Sequence, residues 1–162
     1  TMKRPLALAI ASTLASIVLL SSPATFAMEA RHYPGVGCID VYASGQAKFD
    51  YRGYIYNDST SVGIYVACPF SFNEASGGGD VQVDFYVDDQ SSTANVQCWV
   101  STAYDGGSSY DLETVLSTGT GYQVIAAQAV IPDSYAAASV QCYLPPKSGN
   151  PSRLFSYGVT KY

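Results

Sequence analysis

The sequence predicts an all-β protein: an antiparallel β-sandwich, Ig-like or jelly-roll-like, of about eight or nine strands. Two observations lead to this fold class. Short segments of alternating apolar and polar residues recur along the chain, which is the period of a strand with one buried face. Glycine, serine, asparagine, aspartate and proline separate these segments, and no segment after residue 27 keeps the spacing of an amphipathic helix.

Nine segments carry the strand pattern. The clearest reads DVQVDFYVD, in which the valines and Phe85 share one face while Asp84 and Tyr86 share the other. We therefore expect its apolar residues to line the core of a half-buried sheet. In chain order the nine segments are residues 36–43, 47–57, 61–70, 80–88, 95–101, 112–117, 122–131, 138–144 and 153–161.

Two early segments are predicted to alternate in the same way. In 47–57 the apolar face includes Phe49 and Tyr51, and in 61–70 it begins with Val62. Between strands the chain carries residues that favour turns, because they accept left-handed backbone or bond their own main chain. These turn sequences are ASG at 43–45, NDSTS at 57–61, SGGG at 76–79 and DGGSS at 105–109.

The alanine run in SYAAASV, residues 134–140, is the stretch of the later chain that most resembles a helix. It is too short to form a stable helix alone. Pro132, just before it, favours a turn. We therefore predict a strand there.

The N-terminal region has the features of a secretory signal peptide. Lys3 and Arg4 precede an apolar stretch over 6–20, and small residues follow it. The stretch is shorter than the roughly 20 residues of a membrane span, which argues against a transmembrane anchor. We predict cleavage of residues 1–27 and a single mature domain, residues 28–162, secreted to the extracellular space or the periplasm.

The predicted mature domain is acidic. Without Lys3 and Arg4, six basic residues remain against thirteen acidic ones, so the net charge is −7 with neutral histidine. Such a surface repels the phosphates of nucleic acids and of anionic lipids. No cluster of Lys and Arg offsets it. We therefore exclude nucleic acid as a partner and expect no membrane insertion after cleavage.

The cysteines are expected to form two disulfides. All four cysteines lie in the predicted mature domain, and no two of them form a C-x-x-C motif. They are Cys38, Cys68, Cys98 and Cys142. With His32 as the single histidine, no clustered set of Cys and His ligands exists for zinc. An oxidising compartment favours disulfides, and three connectivities are possible.

A repeated motif favours one of these connectivities. The chain reads NVQCWV from residue 95 and SVQCYL from residue 139. As strands, both copies would turn the cysteine inward and the aromatic residue outward. Two equivalent core-facing cysteines favour a Cys98–Cys142 bridge, which leaves Cys38–Cys68 as the second pair.

A resemblance extends over nearly the whole predicted mature domain. The motifs V-A-C-P-F, V-D-D, V-Q-C-W, V-Q-C-Y-L-P and S-Y-G-V-T follow one another between Cys38 and Thr160. In this order they resemble a loose group of uncharacterised secreted bacterial proteins, which combine a signal peptide with a four-cysteine β domain. The resemblance implies a secreted, disulfide-bonded β domain and carries over no catalytic residue.

No catalytic constellation is visible. A serine or cysteine nucleophile needs an imidazole base, and His32 lies near the predicted new N-terminus, where chains are usually mobile. Alternating acids are more often a solvated outer face than a catalytic pair, so we predict a protein that is not an enzyme. A glycosidase needs two facing carboxylates, for which the candidates are Asp50, Asp84, Asp88, Asp89, Asp111 and Glu113.

Three loops carry oxygen ligands of the kind that calcium prefers: 87–93, 56–60 and 104–111. None has the spacing of an EF-hand. In each loop the same Asp, Asn and Ser residues would also form ordinary turns by bonding their own backbone. We therefore predict no metal and no cofactor, with calcium as the alternative.

Outward aromatic residues are the candidate functional feature. If they share one sheet, their rings form a flat surface on which the apolar faces of sugar rings stack, while amides bond sugar hydroxyls. We predict a ligand-binding set of Trp99, Tyr143, Tyr86, Gln97 and Gln141. The outward positions by strand register also include Tyr54 and Tyr65.

These features lead to three functional hypotheses. The first is a secreted, non-catalytic binding or surface-interaction module, with an extracellular polysaccharide or a cell-surface component as its partner. The alternative is a structural or adhesive protein that pairs strand edges with copies of itself. A small hydrolase that uses carboxylates is the third. Saturable binding of a soluble glycan would favour the first hypothesis, and concentration-dependent assembly the second.

Overall fold

The computed structural model describes residues 29–70, 79–103, 110–131 and 137–162. The predicted signal peptide and the turn at 105–109 lie outside them, as does most of the turn at 76–79. The described chain contains no helix of a length and hydropathy that would span a bilayer. The elements are β1 (Glu29–Pro34), a 3-10 turn (Gly35–Gly37), β2 (Ile39–Asp40), β3 (Ala47–Phe49), β4 (Ile55–Asn57), β5 (Ile64–Cys68), β6 (Gly79–Asp89), β7 (Gln97–Ala103), β8 (Tyr110–Leu116), β9 (Gly121–Ile131), β10 (Ala137–Leu144) and β11 (Arg153–Lys161).

The strands form two antiparallel sheets. The six-stranded sheet has the order β3-β4-β11-β6-β9, with β1 also paired to β11. The five-stranded sheet has the order β2-β5-β10-β7-β8. The all-β sandwich predicted from the sequence is confirmed, with eleven strands in the described residues where about nine were expected.

The apolar faces of the two sheets meet in one core. On β6, Val83 and Phe85 are fully buried, as the alternation predicted. Val66, Val100 and Val140 of the five-stranded sheet are also fully buried and belong to the same cluster. Because each buried side chain removes apolar surface from water, this shared core holds the two sheets together.

Both disulfides lie in the five-stranded sheet and face the core. Cys98 of β7 and Cys142 of β10 are direct cross-strand partners and form one bond. Cys38, just before β2, bonds to Cys68 at the end of β5. These are the pairs that the repeated motif favoured, and all four residues are at most 3% exposed.

The predicted single strand 47–57 is instead a hairpin of β3 and β4. Asp50 accepts a hydrogen bond at 2.8 Å from the backbone N–H two residues on. Gly53 has a φ of 95°, a conformation that glycine adopts readily. The chain therefore reverses within the segment, and Phe49 and Tyr51, expected on the apolar face, are 53% and 89% exposed.

Two other strands are shorter than predicted. Within segment 36–43 only the two residues of β2 pair, because a 3-10 turn occupies the start of the segment. Strand β5 begins at Ile64. Val62, expected on the inner face, therefore lies in the preceding loop and is 53% exposed.

A buried carboxylate, Asp89 at the end of β6, joins the two sheets. Asp89 is fully buried. Its Oδ1 accepts hydrogen bonds from the Ser91 backbone N–H at 3.0 Å and the Ser152 hydroxyl at 3.1 Å. Its Oδ2 accepts from the Val96 backbone N–H at 3.1 Å and the Ser117 hydroxyl at 2.5 Å. The donors come from segments next to β6, β7, β8 and β11, so this one side chain connects four parts of the fold.

Candidate functional site

The outward face of the five-stranded sheet brings together most of the aromatic residues that the sequence singled out. Side chains of directly paired residues in neighbouring strands lie on the same face. Tyr65, Tyr143 and Gln97 form one row across β5, β10 and β7. Gln141 and Trp99 are paired in the next row. We call these residues, with Tyr42 from the turn after β2, the platform: Tyr42, Tyr65, Gln97, Trp99, Gln141 and Tyr143.

Tyr65 lies at the centre of the platform. Its ring centre is 5.1 Å from that of Tyr143, 5.9 Å from that of Trp99 and 5.6 Å from that of Tyr42. The interplanar angles are 48°, 63° and 88°, respectively. Tilted and edge-to-face arrangements are the ones that aromatic pairs favour. The four rings therefore form one continuous aromatic surface.

The four rings differ in exposure. Tyr42 is 71% exposed and Tyr65 is 37% exposed, while Trp99 and Tyr143 are half-buried. Burial, and secondarily the nearby Tyr65, raises the pKa of Tyr143 above its ordinary value. The Tyr143 hydroxyl is therefore protonated at neutral pH and can donate a hydrogen bond.

Tyr143 occupies its position because residue 63 has no side chain. A Cβ atom added at Gly63 would overlap the ring and the hydroxyl of Tyr143. The ring therefore lies directly over the backbone just before β5. This close approach explains why glycine stands between two residues with large side chains, Val62 and Ile64.

Gly63→Ala is expected to displace the Tyr143 ring while the sandwich stays folded. The added methyl group would occupy space that the ring fills, and overpacking of this kind typically costs about 1–3 kcal/mol of stability. The ring-proton NMR signals of Tyr143 and Tyr65 should shift. Gly149→Ala is the matched control, since an added Cβ there has no neighbour within 4 Å. Unchanged Tyr143 signals in Gly63→Ala would contradict this packing of the ring on the backbone.

Two amides lie beside the rings without partners. Gln97 and Gln141 are half-buried on the outward face. Neither side-chain amide has a hydrogen-bond partner among the described residues. In the following row the hydroxyls of Ser101 and Ser139 bond each other at 2.6 Å. The platform therefore combines aromatic surface with free amide donors and acceptors.

Two of the predicted outward residues do not belong to the platform. Tyr86 lies on the outward face of the six-stranded sheet and packs edge-on against His32, with ring centres 5.2 Å apart. Tyr54 is only 8% exposed and packs against Phe155 with ring centres 5.3 Å apart. Grouping Tyr86 with Trp99 was wrong in position, because alternation shows which residues of a strand share a face but not which strands share a sheet.

Tyr42 belongs to the platform although the alternation of the strands did not predict it. It lies in a turn in which Asp40 accepts hydrogen bonds from the Tyr42 backbone N–H at 3.1 Å and the Ser44 hydroxyl at 2.6 Å. Ala43, between them, has a φ of 49°. The sequence signal is the aspartate that bonds the backbone two residues on. Strand alternation does not extend through such a turn and so did not reveal the ring.

The carboxylates considered for hydrolysis lie apart from the platform. Asp84 and Asp88 are on the outward face of the other sheet and accept hydrogen bonds from neighbouring glutamines at 2.8 and 2.5 Å. Glu113 accepts the backbone N–H of Gln128 at 2.5 Å, which connects the edge strands β8 and β9. The side chain of Asp111 lies outside the described residues.

Within the described residues no group of three or more His, Cys, Asp or Glu side chains could hold a metal ion. In loop 87–93 the oxygens of Asp89 face four protein donors. In loop 56–60 Asn57 is fully buried, and its amide nitrogen lies within hydrogen-bond distance of three backbone carbonyl oxygens, at 2.8, 3.1 and 3.0 Å. Most of loop 104–111 lies outside the described residues. The absence of a metal, with calcium as the alternative, stays a prediction.

No protein-family model and no curated protein match this chain. Among solved structures it is similar to the C-terminal CBM6 of LamC, a marine laminarinase from Zobellia galactanivorans, with 11% identity and a TM-score of 0.49 over 82% of this chain and 100% of that chain. It is also similar to a family 35 carbohydrate binding module from Clostridium thermocellum, with 17% identity and a TM-score of 0.48 over 81% and 97%. The K1 cleaved adhesin domain of Lys-gingipain from Porphyromonas gingivalis has 13% identity and a TM-score of 0.41 over 83% and 98%. At these values the likeness is remote and identifies no ligand for this chain.

Proposed function

We propose that the protein is a secreted, non-catalytic binding module for a neutral extracellular polysaccharide, and that the platform is its binding surface. What supports this function is one arrangement: four aromatic rings in contact on an outward sheet face, with two amides beside them that have no partner in the described part of the chain. Sugar rings present apolar C–H faces that stack on aromatic planes, and their hydroxyls bond amides. The platform contains no carboxylate and no imidazole, so it binds without acid or base catalysis.

The shape and charge of the surface favour a neutral chain of sugars. The platform is an open face, and its neighbouring ring centres are 5.1 to 5.9 Å apart. A chain of linked sugars can contact several of these rings in succession, whereas one free sugar reaches only one or two. The predicted mature domain is strongly acidic, which disfavours polyanionic polysaccharides because like charges repel.

Trp99→Ala is expected to weaken polysaccharide binding at least ten-fold. Loss of a central aromatic contact commonly costs about 2 kcal/mol or more, and about 1.4 kcal/mol corresponds to a factor of ten. Affinity gel electrophoresis with a neutral β-1,3-glucan, a xylan, a galactomannan and hydroxyethylcellulose measures the effect. Tyr162→Ala is the matched control, because Tyr162 is 57% exposed and its hydroxyl bonds Gln82 of the other sheet. It should bind as the parent does.

The emission of Trp99 gives a second measurement, since it is the only tryptophan in the chain. Saturation with a polysaccharide that binds the platform should shift the emission of the parent protein to shorter wavelength and protect it from acrylamide quenching. The platform is not the binding site if Trp99→Ala and the parent bind equally. The proposed function fails if no polysaccharide in the panel is retained or changes the emission.

A second function is favoured by apolar side chains at both edges of the same face. Ile39 on β2 is 64% exposed, and Leu112 and Leu116 on β8 are each 50% exposed. By register these residues share the outward face with the platform. Exposed apolar surface of this kind also suits contact between copies of the chain, as in an adhesive or structural protein. Sedimentation velocity over a range of concentrations distinguishes the two functions, because only the second requires self-association.

A further inference from the structure

A separate cleft lies on the outward side of the six-stranded sheet, on the opposite side of the sandwich from the platform. It has a volume of about 180 Å³. Its walls come from the β3–β4 turn, from β4 and from the start of β11. The lining residues are Asp50, Tyr54, Tyr56, Pro151 and Arg153.

Strand pairing explains how the cleft forms. Arg153, the first residue of β11, pairs with Tyr56 of β4 on one side and with Asp88 of β6 on the other. A β-bulge follows directly in β11, and the ring of Phe155 in this bulge packs against Tyr54. A bulge leaves two residues opposite one and re-aims a side chain. As a result, the Arg153 cation lies at one end of the sheet, close to aromatic rings and to a carboxylate.

The Arg153 guanidinium has more donors than partners. Its Cζ lies 5.4 Å from the centre of the Tyr54 ring, and its Nη1 is 3.6 Å from Asp88, which is longer than a hydrogen bond. Its Nε–H is buried and has no acceptor among the described residues. Buried donors are nearly always paired. Because 28% of the Arg153 side chain is exposed while Nε is not, the terminal nitrogens are the donors that can bond an acceptor supplied by a ligand.

The β3–β4 turn supplies the complementary acceptor. The pKa of Asp50 is lowered, chiefly by the backbone N–H of Arg52, so its carboxylate is ionised at neutral pH. The pKa of Tyr54 is raised, first by the neighbouring Asp50 carboxylate and then by burial, so its hydroxyl stays protonated. The cleft thus combines a planar cationic donor, a carboxylate acceptor and aromatic walls.

We propose that this cleft binds one neutral sugar residue at the end of a glycan chain, through adjacent hydroxyls that accept hydrogen bonds from Arg153 and donate to Asp50. Tyr54 and Tyr56 supply the apolar contact. A volume of about 180 Å³ suits a single ring and is small against the roughly 300–1,000 Å³ of pockets for larger ligands. The carboxylates of Asp50 and Asp88 disfavour an acidic sugar, because like charges repel.

The test is an NMR titration of the ¹⁵N-labelled protein with D-glucose, D-galactose, D-mannose, D-xylose and D-glucuronate, each alone. At least one neutral sugar should shift the Nε–Hε signal of Arg153 and the backbone amides of residues 50–56 at millimolar concentration. Glucuronate should bind several-fold more weakly than glucose. Arg153→Lys keeps the charge but loses the planar fork, so it should weaken sugar binding at least ten-fold, as should Tyr56→Ala. Trp99→Ala should leave these shifts unchanged.

The proposal is overturned if no neutral sugar shifts these signals or if glucuronate binds more tightly than glucose. It is also overturned if Arg153→Lys and Tyr56→Ala, both with spectra of a folded protein, bind as the parent does. Failure of the platform has a different signature, since it concerns polysaccharide binding and the response to Trp99→Ala. The two sites can therefore succeed or fail independently.

Discussion

Asp89→Ala is expected to lower the free energy of unfolding by about 4 kcal/mol. The substitution removes the acceptor of four buried hydrogen bonds, and a buried donor that stays unsatisfied costs about 1–3 kcal/mol. The two serine hydroxyls can rotate toward other acceptors. The Val96 backbone N–H keeps the Ser117 hydroxyl oxygen as an acceptor at 2.9 Å. The Ser91 backbone N–H is fixed by the chain and has no such second acceptor, so the largest single loss falls on it.

Urea unfolding followed by circular dichroism measures this loss. Asp84→Ala is the matched control, because Asp84 lies on the outward face of the same strand and bonds a half-exposed glutamine. It should change the free energy of unfolding by less than about 1 kcal/mol. Asp89→Asn keeps the shape and one acceptor oxygen and should fall between the two. A loss in Asp89→Ala no larger than that of Asp84→Ala would show that Asp89 is not the link between the sheets.

The role of Asp89 could not be read from its neighbours in the sequence. The VDDQSST segment has the composition of a turn or a calcium loop, and both interpretations rest on local chemistry. The hydroxyls that bond Asp89 come from Ser117 and Ser152, which are 28 and 63 residues further along the chain. Only the folded topology brings them together. The alternation in 80–88, by contrast, predicted the buried face of β6 correctly because a strand has a period of two.

The two candidate sites were predictable to different extents. The register of NVQCWV and SVQCYL identified the outward direction of Trp99, Tyr143, Gln97 and Gln141, since each position depends on one strand alone. The position of Tyr86 depends on which sheet its strand joins, and alternation carries no such information. The Arg153 cleft needs the pairing of β4, β6 and β11 and a bulge. No local pattern in the sequence encodes that pairing.

Removal of the Cys98–Cys142 disulfide by alanine at both positions is expected to lower the free energy of unfolding by about 4 kcal/mol. The bond closes a loop of 44 residues, for which the chain-entropy model assigns a stabilisation of about 4 kcal/mol. Both sulfurs belong to fully buried residues, so the change also leaves a cavity that adds to the loss. A domain with a net stability of about 5–15 kcal/mol would be left close to unfolding.

Cys38→Ala with Cys68→Ala is the matched comparison, since that bond closes 30 residues and joins the short strand β2 to β5. The chain-entropy model assigns this edge bond a stabilisation of about 3.7 kcal/mol. The structure can also relax more easily around a change at the sheet edge. Urea unfolding should therefore show a larger loss of stability when the central disulfide is removed. A larger loss for the edge pair would contradict this order.

The central bond connects the two copies of Val-Gln-Cys-aromatic directly beneath the platform. Each copy thus places a cysteine in the core and a ring on the outward face, so the stability of the central strands and the placement of the rings depend on the same few residues.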